Sequence, residues 1–203
     1  MHDANVGSDR RWDQAQAGTR LCDGHPMGAV LLQASANLHR REENGMTSHI
    51  ERARDALLAR VGSEATSPWH TVDQRQINAF ADATLDHQFI HIDPVAAAAR
   101  SPYKVTIAHG FLTLSMVPHL VSLALADEDR PEGLAASINY GLDRVRFPTP
   151  VKVDSRIRAR TELVAVDQVT PNALQLKRKV TIDIDGEAKP ACIAETLARL
   201  VFA

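Results

Sequence analysis

The last third of the chain alternates apolar and polar residues with a period of two, which is the pattern of β-strands with one buried face. The clearest run has its apolar members at Leu174, Leu176, Val180, Ile182 and Ile184. Arg178 interrupts this apolar row. The alternation recurs in residues 156–160 and in a run through residues 193–201, and turn residues at 171–172 and 185–186 separate the runs. We therefore predict an antiparallel meander, since no crossover helix lies between the strands.

The chain before this region has helical periodicity. A capping box at Ser48 and Glu51 opens an amphipathic helix that Gly62 ends. The apolar members of this helix are Ile50, Ala53, Leu57, Leu58 and Val61. An extended piece over residues 69–72 follows, and a second helix then begins at the N-cap Asp73. The apolar side of the second helix consists of Ile77, Phe80 and Ala81.

The most apolar window covers residues 105–126, and its hydrophobicity on all sides predicts a buried helix. Gly110, Pro118 and two histidines interrupt the window, which argues against a membrane span. A buried helix combined with several long antiparallel strands is typical of the α+β class. We therefore predict an antiparallel sheet that curves around a long central α-helix.

The polar amino-terminal part of the chain differs from the rest. Residues 1–45 show no sustained periodicity, so we expect a poorly ordered extension. Residues 46–203 have enough apolar material for a single domain. Met46 stands just before the first helix, which leaves open whether the native chain starts there. We expect no export signal, because no basic start is followed by a long apolar run.

The overall composition narrows the classes of partner and compartment. The formal net charge is −2 and no long basic run occurs, so we expect neither a nucleic-acid partner nor a membrane partner. The two cysteines, Cys22 and Cys192, are too few for a disulfide framework. They predict free thiols in a cytoplasmic protein.

The segment DHQFIHIDP, residues 86–94, gathers acidic and imidazole side chains in nine positions. It follows the second helix, which ends near Thr84. Asp93 and Pro94 have the chemistry of an N-cap and a first-turn proline, so they begin a third helix rather than supply a reactive group. The cluster is therefore predicted to lie in a connection between helices.

Asp86 and His91 are five residues apart, which places them about 140° apart on a helix and on opposite faces of a strand. They can converge only through an irregular loop. A carboxylate and an imidazole that face one water molecule form an acid/base pair. The alternative is a solvated loop in which Asp86 caps the preceding helix. Metal binding by His87, His91 and Asp93 is a further alternative, but this spacing matches no standard zinc pattern, and we expect no metal.

His109 and Gly110 stand at the start of the apolar helix. The Gly110 N–H would lie at the positive end of the helix dipole, where it suits a thioester oxygen that gains negative charge. The alternatives are that Gly110 only permits close packing and that His109 is a hydrogen-bonded core residue. Ser115 lacks the G-x-S-x-G setting of a nucleophilic serine.

The chain resembles the MaoC-like dehydratase family, and particularly its NodN-like branch, in the stretches FADATLDHQFIHIDP, TIAHGF, INYGLDRVRFPTPVKVDSRIRA and KPACIAETLARLV. The resemblance covers roughly residues 65–202. An Asp and a His at this spacing, followed by the His-Gly helix start, form a more specific combination than either motif alone. Members of this family are (R)-specific enoyl-CoA hydratases of hotdog fold.

The resemblance implies a hotdog fold and the reversible syn addition of water to a trans-2-enoyl-CoA, which gives an (R)-3-hydroxyacyl-CoA. It implies catalytic roles for Asp86 and His91 and a thioester-binding role for Gly110. It also implies a homodimer with the acyl tunnel along the interface, and no cofactor apart from the coenzyme A of the substrate. By position and type, the tunnel candidates are Phe89, His109, Phe111, Leu112, Met116 and Tyr140.

Two departures from the family pattern bear on activity. Leu85 stands where many members have Gly before the catalytic Asp, and Lys104 stands where Gly often occurs before the His-Gly pair. Because residues with a Cβ do not readily adopt positive φ, we expect the loop to hold Asp86 differently. A non-catalytic acyl-CoA or acyl-carrier-protein binder and a thioesterase on the same fold are therefore the alternative functions. The sequence leaves open the acyl chain length, the thioester carrier, the pathway and which of Asp86 and His91 is the base.

Overall fold

A computed structural model of the chain describes residues 49–126, 128 and 130–203. The predicted extension over residues 1–45, the alternative start at Met46, the cap residue Ser48 and the thiol of Cys22 lie outside the described residues.

An antiparallel sheet of six strands forms the body of the described chain. The strands are β1 (Glu64–Thr66), β2 (His70–Thr71), β3 (Leu134–Arg146), β4 (Arg156–Thr170), β5 (Ala173–Ile184) and β6 (Cys192–Phe202). Their order across the sheet is β1-β4-β5-β6-β3, and β2 also pairs with β4. The meander of β4, β5 and β6 confirms the arrangement that the alternating pattern predicts. β3 lies at the edge of the sheet beyond β6.

The helices of the described chain are α1 (residues 49–58), α2 (Gln74–Thr84), α3 (Phe89–Ile92), α4 (Pro94–Arg100), α5 (Gly110–Ser115) and α6 (Val117–Ala124). Asp73 caps α2, since its side chain accepts a hydrogen bond from the Gln76 N–H at 2.7 Å. Asp93 caps α4 in the same way through the Ala96 N–H at 2.9 Å. Both predicted caps are confirmed.

The inner face of the sheet buries the apolar row of β5, which comprises Leu174, Leu176, Val180, Ile182 and Ile184. The three residues at the C-terminal end of this row belong to a core cluster with Ile77, Leu112 and Leu120 of the helices. The two at its N-terminal end belong to a second cluster that holds Ile50 and Leu57 of α1 against the sheet. Arg178 stands on β5 between the members of these two clusters.

The first amphipathic helix is shorter than its apolar pattern. Ile50 on α1 is fully buried, whereas Leu58 and Val61 are 46% and 45% exposed. Leu58 is the last residue of α1, and Val61 lies beyond the helix, where a turn at Gly62 (φ +86°) leads the chain to β1. The Gly62 N–H donates to the backbone carbonyl of Leu163 on β4 at 2.8 Å, which joins this turn to the sheet.

The predicted long central helix is divided into α5 and α6 at Met116. Pro118 lies in the first turn of α6, where its ring has no N–H to donate to the preceding turn. Leu112 and Leu120 are buried, but Phe111 is 69% exposed. Among the described residues, the α5–α6 segment is thus covered on one side and open at Phe111. No helix in the described residues is long and apolar enough to cross a membrane.

Leu85 ends α2 in the left-handed conformation, with φ 62° and ψ 19°. Lys104 also has φ 62°. Both residues thus adopt the positive φ that a Cβ disfavours, whereas the expectation that the loop holds Asp86 differently stays a prediction. Leu85 is 80% exposed, so its side chain gains little from burial while its Cβ meets the steric penalty of this conformation.

We expect Leu85→Gly to raise the free energy of unfolding by about 1 kcal/mol, because glycine removes the Cβ penalty at positive φ. Urea denaturation measures this change. Leu85→Ala is the matched control, since it removes the same exposed side chain but keeps the Cβ. Equal stability of the glycine and alanine variants would contradict the expectation.

Candidate active site

The connection after α2 brings acidic and imidazole groups together. α2 ends at Thr84, the left-handed Leu85 turns the chain, and Asp86 follows as the first residue of a short loop. The loop leads into the single turn of α3, which carries His91. The predicted irregular connection is thus confirmed for residues 86–88, and the remaining part is helical.

His91 is held in one orientation by the backbone. It is 7% exposed, and its Nδ1 lies 2.7 Å from the carbonyl oxygen of Ile107. Because a carbonyl only accepts, Nδ1 carries the hydrogen and Nε2 presents a lone pair. The Gln74 amide of α2 donates to the backbone carbonyl of His91 at 2.7 Å, and Thr106 donates to the Gln74 amide oxygen at 2.5 Å. These supporting residues gave no signal in the sequence.

His109 joins Asp86 to the start of α5. It is 3% exposed, and its Nε2 lies 2.9 Å from the backbone carbonyl oxygen of Asp86 and 4.0 Å from the Asp86 carboxylate. Nε2 therefore carries the hydrogen, and Nδ1 is buried without a hydrogen-bond partner among the described residues. The His109 ring stacks on the His91 ring with 3.7 Å between centroids. The prediction of a hydrogen-bonded core histidine is thus right for Nε2 only.

The surroundings of His91 favour its neutral form. Burial lowers the pKa of His91, and the nearby His109 lowers it further. The hydrogen bond to the Ile107 carbonyl and the charge of Asp86 act in the opposite direction without reversing the shift in pKa. A neutral ring with its Nδ1–H fixed leaves Nε2 able to accept a proton.

Gly110 is the first residue of α5 and follows His109 directly. A Cβ at this position would lie 3.1 Å from Cγ of the Phe147 ring, which is tighter than ordinary packing. Glycine therefore lets the ring of Phe147 approach the helix start. The first backbone N–H groups of a helix have no acceptor within that helix, so Gly110 brings such a donor beside the two histidines.

The ligating atoms of Asp86, His91 and His109 all lie within 4.8 Å of one another. Such a group can hold a water molecule, and its donor set is also one that could surround a small cation. In the alternative metal set of His87, His91 and Asp93, two residues have other partners. Asp93 is used as the cap of α4, and His87 pairs with the exposed Asp82 at 2.9 Å.

A cavity of about 560 Å³ lies between the α5–α6 segment and the strands β3, β5 and β6. Its apolar lining includes Leu114, Val121, Leu125, Leu142, Leu176 and Ala198. Of the sequence-predicted tunnel residues, Tyr140 lines this cavity and is 53% exposed. Arg178 also lines it.

The other tunnel candidates occupy several environments. Phe111 is exposed beside the Phe147 ring, with 5.9 Å between centroids, near the start of α5. Leu112 is a core residue. Met116 accepts a weak hydrogen bond from the Gln76 amide at 3.2 Å. Phe89 is half-buried in α3, where it lies under the guanidinium of an arginine of α4.

The chain combines an α+β fold with an Asp–His pair beside a helix start. Known proteins with the same features identify its family. The MaoC like domain matches residues 59–183. 3-Hydroxyacyl-thioester dehydratase Z of Mycobacterium tuberculosis is 45% identical over 146 residues, which are 71% of this chain and 93% of that protein. Nodulation protein N of Rhizobium leguminosarum bv. viciae is 43% identical over 145 residues, covering 71% and 88%.

Solved structures agree with this assignment. The (R)-hydratase from A. caviae involved in PHA biosynthesis has a TM-score of 0.56 and 25% identity, and the match covers 69% of this chain and 96% of that one. The monoamine oxidase regulatory protein from Archaeoglobus has a TM-score of 0.60 and 22% identity, covering 70% and 91%, and shows the fold alone. The chain belongs to the MaoC-like dehydratase family, and its fold is the hotdog fold, as the sequence resemblance implies.

We expect the stability of the protein to fall on acidification because of His91. The pKa of His91 in the folded state lies below its ordinary value of 6.5, so the unfolded state takes up this proton first. The contribution of neutral His91 to the free energy of unfolding is fully present above the ordinary pKa of histidine. It is lost as the pH falls through the pKa of His91 in the folded state. His91→Gln should therefore show a smaller loss of unfolding free energy between about pH 7.5 and about pH 5.5 than the unmodified protein.

Urea denaturation at the two pH values measures this difference. His87→Gln, an exposed histidine of the same segment, is the control and should keep the acid dependence of the unmodified protein. Identical acid dependence in His91→Gln and the unmodified protein would sink the interpretation.

Proposed function

We propose that the protein is an (R)-specific enoyl-thioester hydratase, a hydro-lyase that adds water reversibly to a trans-2-enoyl-CoA to give an (R)-3-hydroxyacyl-CoA. The observation that carries the proposal is the convergence of Asp86 and His91 beside the Gly110 helix start. The names of the relatives, a 3-hydroxyacyl-thioester dehydratase and an (R)-hydratase, support the same class of reaction.

In the proposed mechanism, a water molecule lies between the Asp86 carboxylate and Nε2 of His91. One of these groups removes a proton from the water while the water oxygen bonds to C3 of the substrate. The C2–C3 π electrons move toward the thioester carbonyl, whose oxygen accepts a hydrogen bond from the Gly110 N–H. A proton returned to C2 from the same face completes a syn addition. The neutral state of His91 supports its Nε2 as the proton acceptor.

The hydrogen bonds around the pair support this mechanism. The Ile107 carbonyl fixes the His91 tautomer, and the His109 Nε2–H fixes the backbone of Asp86. A pair held in this way needs little reorganisation when charge moves during the reaction. We propose that the reaction requires no metal and no cofactor beyond the coenzyme A of the substrate.

Asp86→Asn should lower the rate of crotonyl-CoA hydration by about 10²–10⁴ while leaving the fold intact, because the amide can neither take up nor return a proton. His91→Gln should lower the rate over the same range. Loss of the enoyl absorbance measures turnover, and EDTA should leave it unchanged.

Asp82→Asn and His87→Gln are the matched controls, since this exposed pair lies on the same segment. Full turnover in Asp86→Asn would refute the role of Asp86. Two other results would indicate a different function. Saturable binding without turnover indicates an acyl-CoA or acyl-carrier-protein binder, and release of free thiol indicates a thioesterase, in which water attacks the thioester carbonyl instead.

We also propose that the protein is a cytoplasmic homodimer. β3 is an edge strand of thirteen residues, and it exposes the apolar side chains Ile138, Tyr140 and Leu142. An exposed edge of this kind favours pairing with a second sheet edge. Cys192 is a free and buried thiol, and burial raises its pKa to about 11. A free thiol is usual in a reducing compartment.

Ile138→Lys should shift the protein from dimer to monomer, because it places a charge in the proposed joint between the two sheets. Light scattering coupled to gel filtration gives the mass. Val169→Lys is the control, since Val169 is an exposed apolar residue of β4, away from the β3 edge. A monomeric unmodified protein, or a dimer that Ile138→Lys leaves intact, would contradict the homodimer.

A further inference from the structure

Arg178 is the polar exception in the buried row of β5. Its neighbours in that row, Leu176 and Val180, are buried, and Arg178 itself is half-buried and lines the cavity. Because Arg178 is half-buried, its guanidinium has lost part of its hydration, and this burial lowers the pKa of Arg178. A desolvated cation in a mainly apolar cavity is costly unless an anion binds it.

The cavity begins one helical turn after Gly110, and none of Asp86, His91 and Gly110 lines it. Its helical wall extends from Leu114, one turn after Gly110, to Leu125 at the end of α6. Phe147, shortly after β3, packs against Gly110. An acyl chain whose thioester lies at Gly110 would therefore enter the cavity at the α5 end.

Arg178 lies toward the α6 end of the helical wall. It pairs across the sheet with Leu163, whose carbonyl accepts the Gly62 N–H. Arg60 of the same turn forms an ion pair with Glu128, and the Glu128 N–H donates to the carbonyl of Leu125, just after α6, at 3.0 Å. Glu128 already forms an ion pair with Arg60, so its charge is shared. Within the described part of the chain, the Arg178 guanidinium has neither a hydrogen bond nor an ion pair. A positive charge thus faces the end of the cavity that is remote from Gly110.

We propose that the preferred substrate carries a carboxylate at the distal end of its acyl chain, and that Arg178 binds this carboxylate. This inference rests on the proposed function for the position of the thioester. The polar side chains Asn139 and Thr196 also line the cavity and add hydrogen-bonding groups to its wall. The substrate class is then the mono-CoA thioester of a trans-2-enedioic acid.

The test compares mono-CoA thioesters of trans-2-enedioic acids, from octene to dodecene length, with the methyl-ended trans-2-enoyl-CoAs of equal length. The unmodified protein should show a higher kcat/KM for the carboxylated compound at the length that reaches Arg178. Arg178→Met should lower that preference by roughly tenfold to a hundredfold, as expected for loss of a charge-assisted hydrogen bond. Arg178→Lys should retain part of the preference, because it keeps the charge.

Crotonyl-CoA is too short to reach Arg178, so its hydration should be unchanged in Arg178→Met. Lys179→Met, which removes an exposed charge from the neighbouring position of β5, should leave every substrate unaffected. Circular dichroism confirms that the variants are folded. If Arg178→Met lowers crotonyl-CoA and both long substrates equally, Arg178 has a structural role, and the proposal is overturned.

A binding measurement separates this proposal from the proposed reaction. Saturated ω-carboxyacyl-CoA and methyl-ended acyl-CoA of equal length are titrated into the protein by calorimetry. Tighter binding of the carboxylated compound, lost in Arg178→Met, supports the distal anion site even when crotonyl-CoA is not hydrated. Equal binding of the two compounds overturns the site, whatever the protein does with crotonyl-CoA.

Discussion

The hydrogen bond from His109 Nε2–H to the backbone carbonyl of Asp86 is the contact on which the candidate site depends. It joins two parts of the chain that are 23 residues apart, it is 2.9 Å long, and the His109 ring that donates it is buried. Because the same ring stacks on His91, one side chain sets the position of both members of the Asp–His pair. The Ile107 carbonyl completes the arrangement by fixing the His91 tautomer.

The sheet and helices explain why these groups meet at a helix start. The sheet packs against one side of the α5–α6 segment, so the beginning of α5 lies at the end of the core where the α2–α3 connection also passes. Gly110 allows the Phe147 ring to close over this point. The candidate site is therefore built in part from backbone groups and buried rings whose positions are set by packing.

The cavity lies against the one polar position in the buried row of β5. A strand buried on one face gains most from an uninterrupted apolar row, and β5 gives up one position of that row to Arg178. Because the nearby Glu128 forms an ion pair with Arg60, the Arg178 guanidinium has no ion-pair partner in the described residues. A polar exception of this kind, in a row that otherwise specifies the fold, is the place where specificity for a ligand is to be expected.

The sequence by itself determined the features that depend on local periodicity and local hydrogen bonds. The two-residue alternation specified β5 and its buried face, and Asp73 and Asp93 specified the starts of α2 and α4, because a strand pattern and an N-cap involve only neighbouring residues. The resemblance also placed Asp86, His91 and Gly110 in one site, although their roles remain proposals.

Only the tertiary structure decided the rest. The clamp of His109 on Asp86, the support of His91 by Gln74 and the place of Arg178 in the cavity arise from contacts between residues distant in the chain. The positive φ of Leu85 also depends on the tertiary structure. The path of the chain after α2 requires it, although a residue with a Cβ prefers negative φ. Local preferences are small free energies, and packing across the whole domain outweighs them.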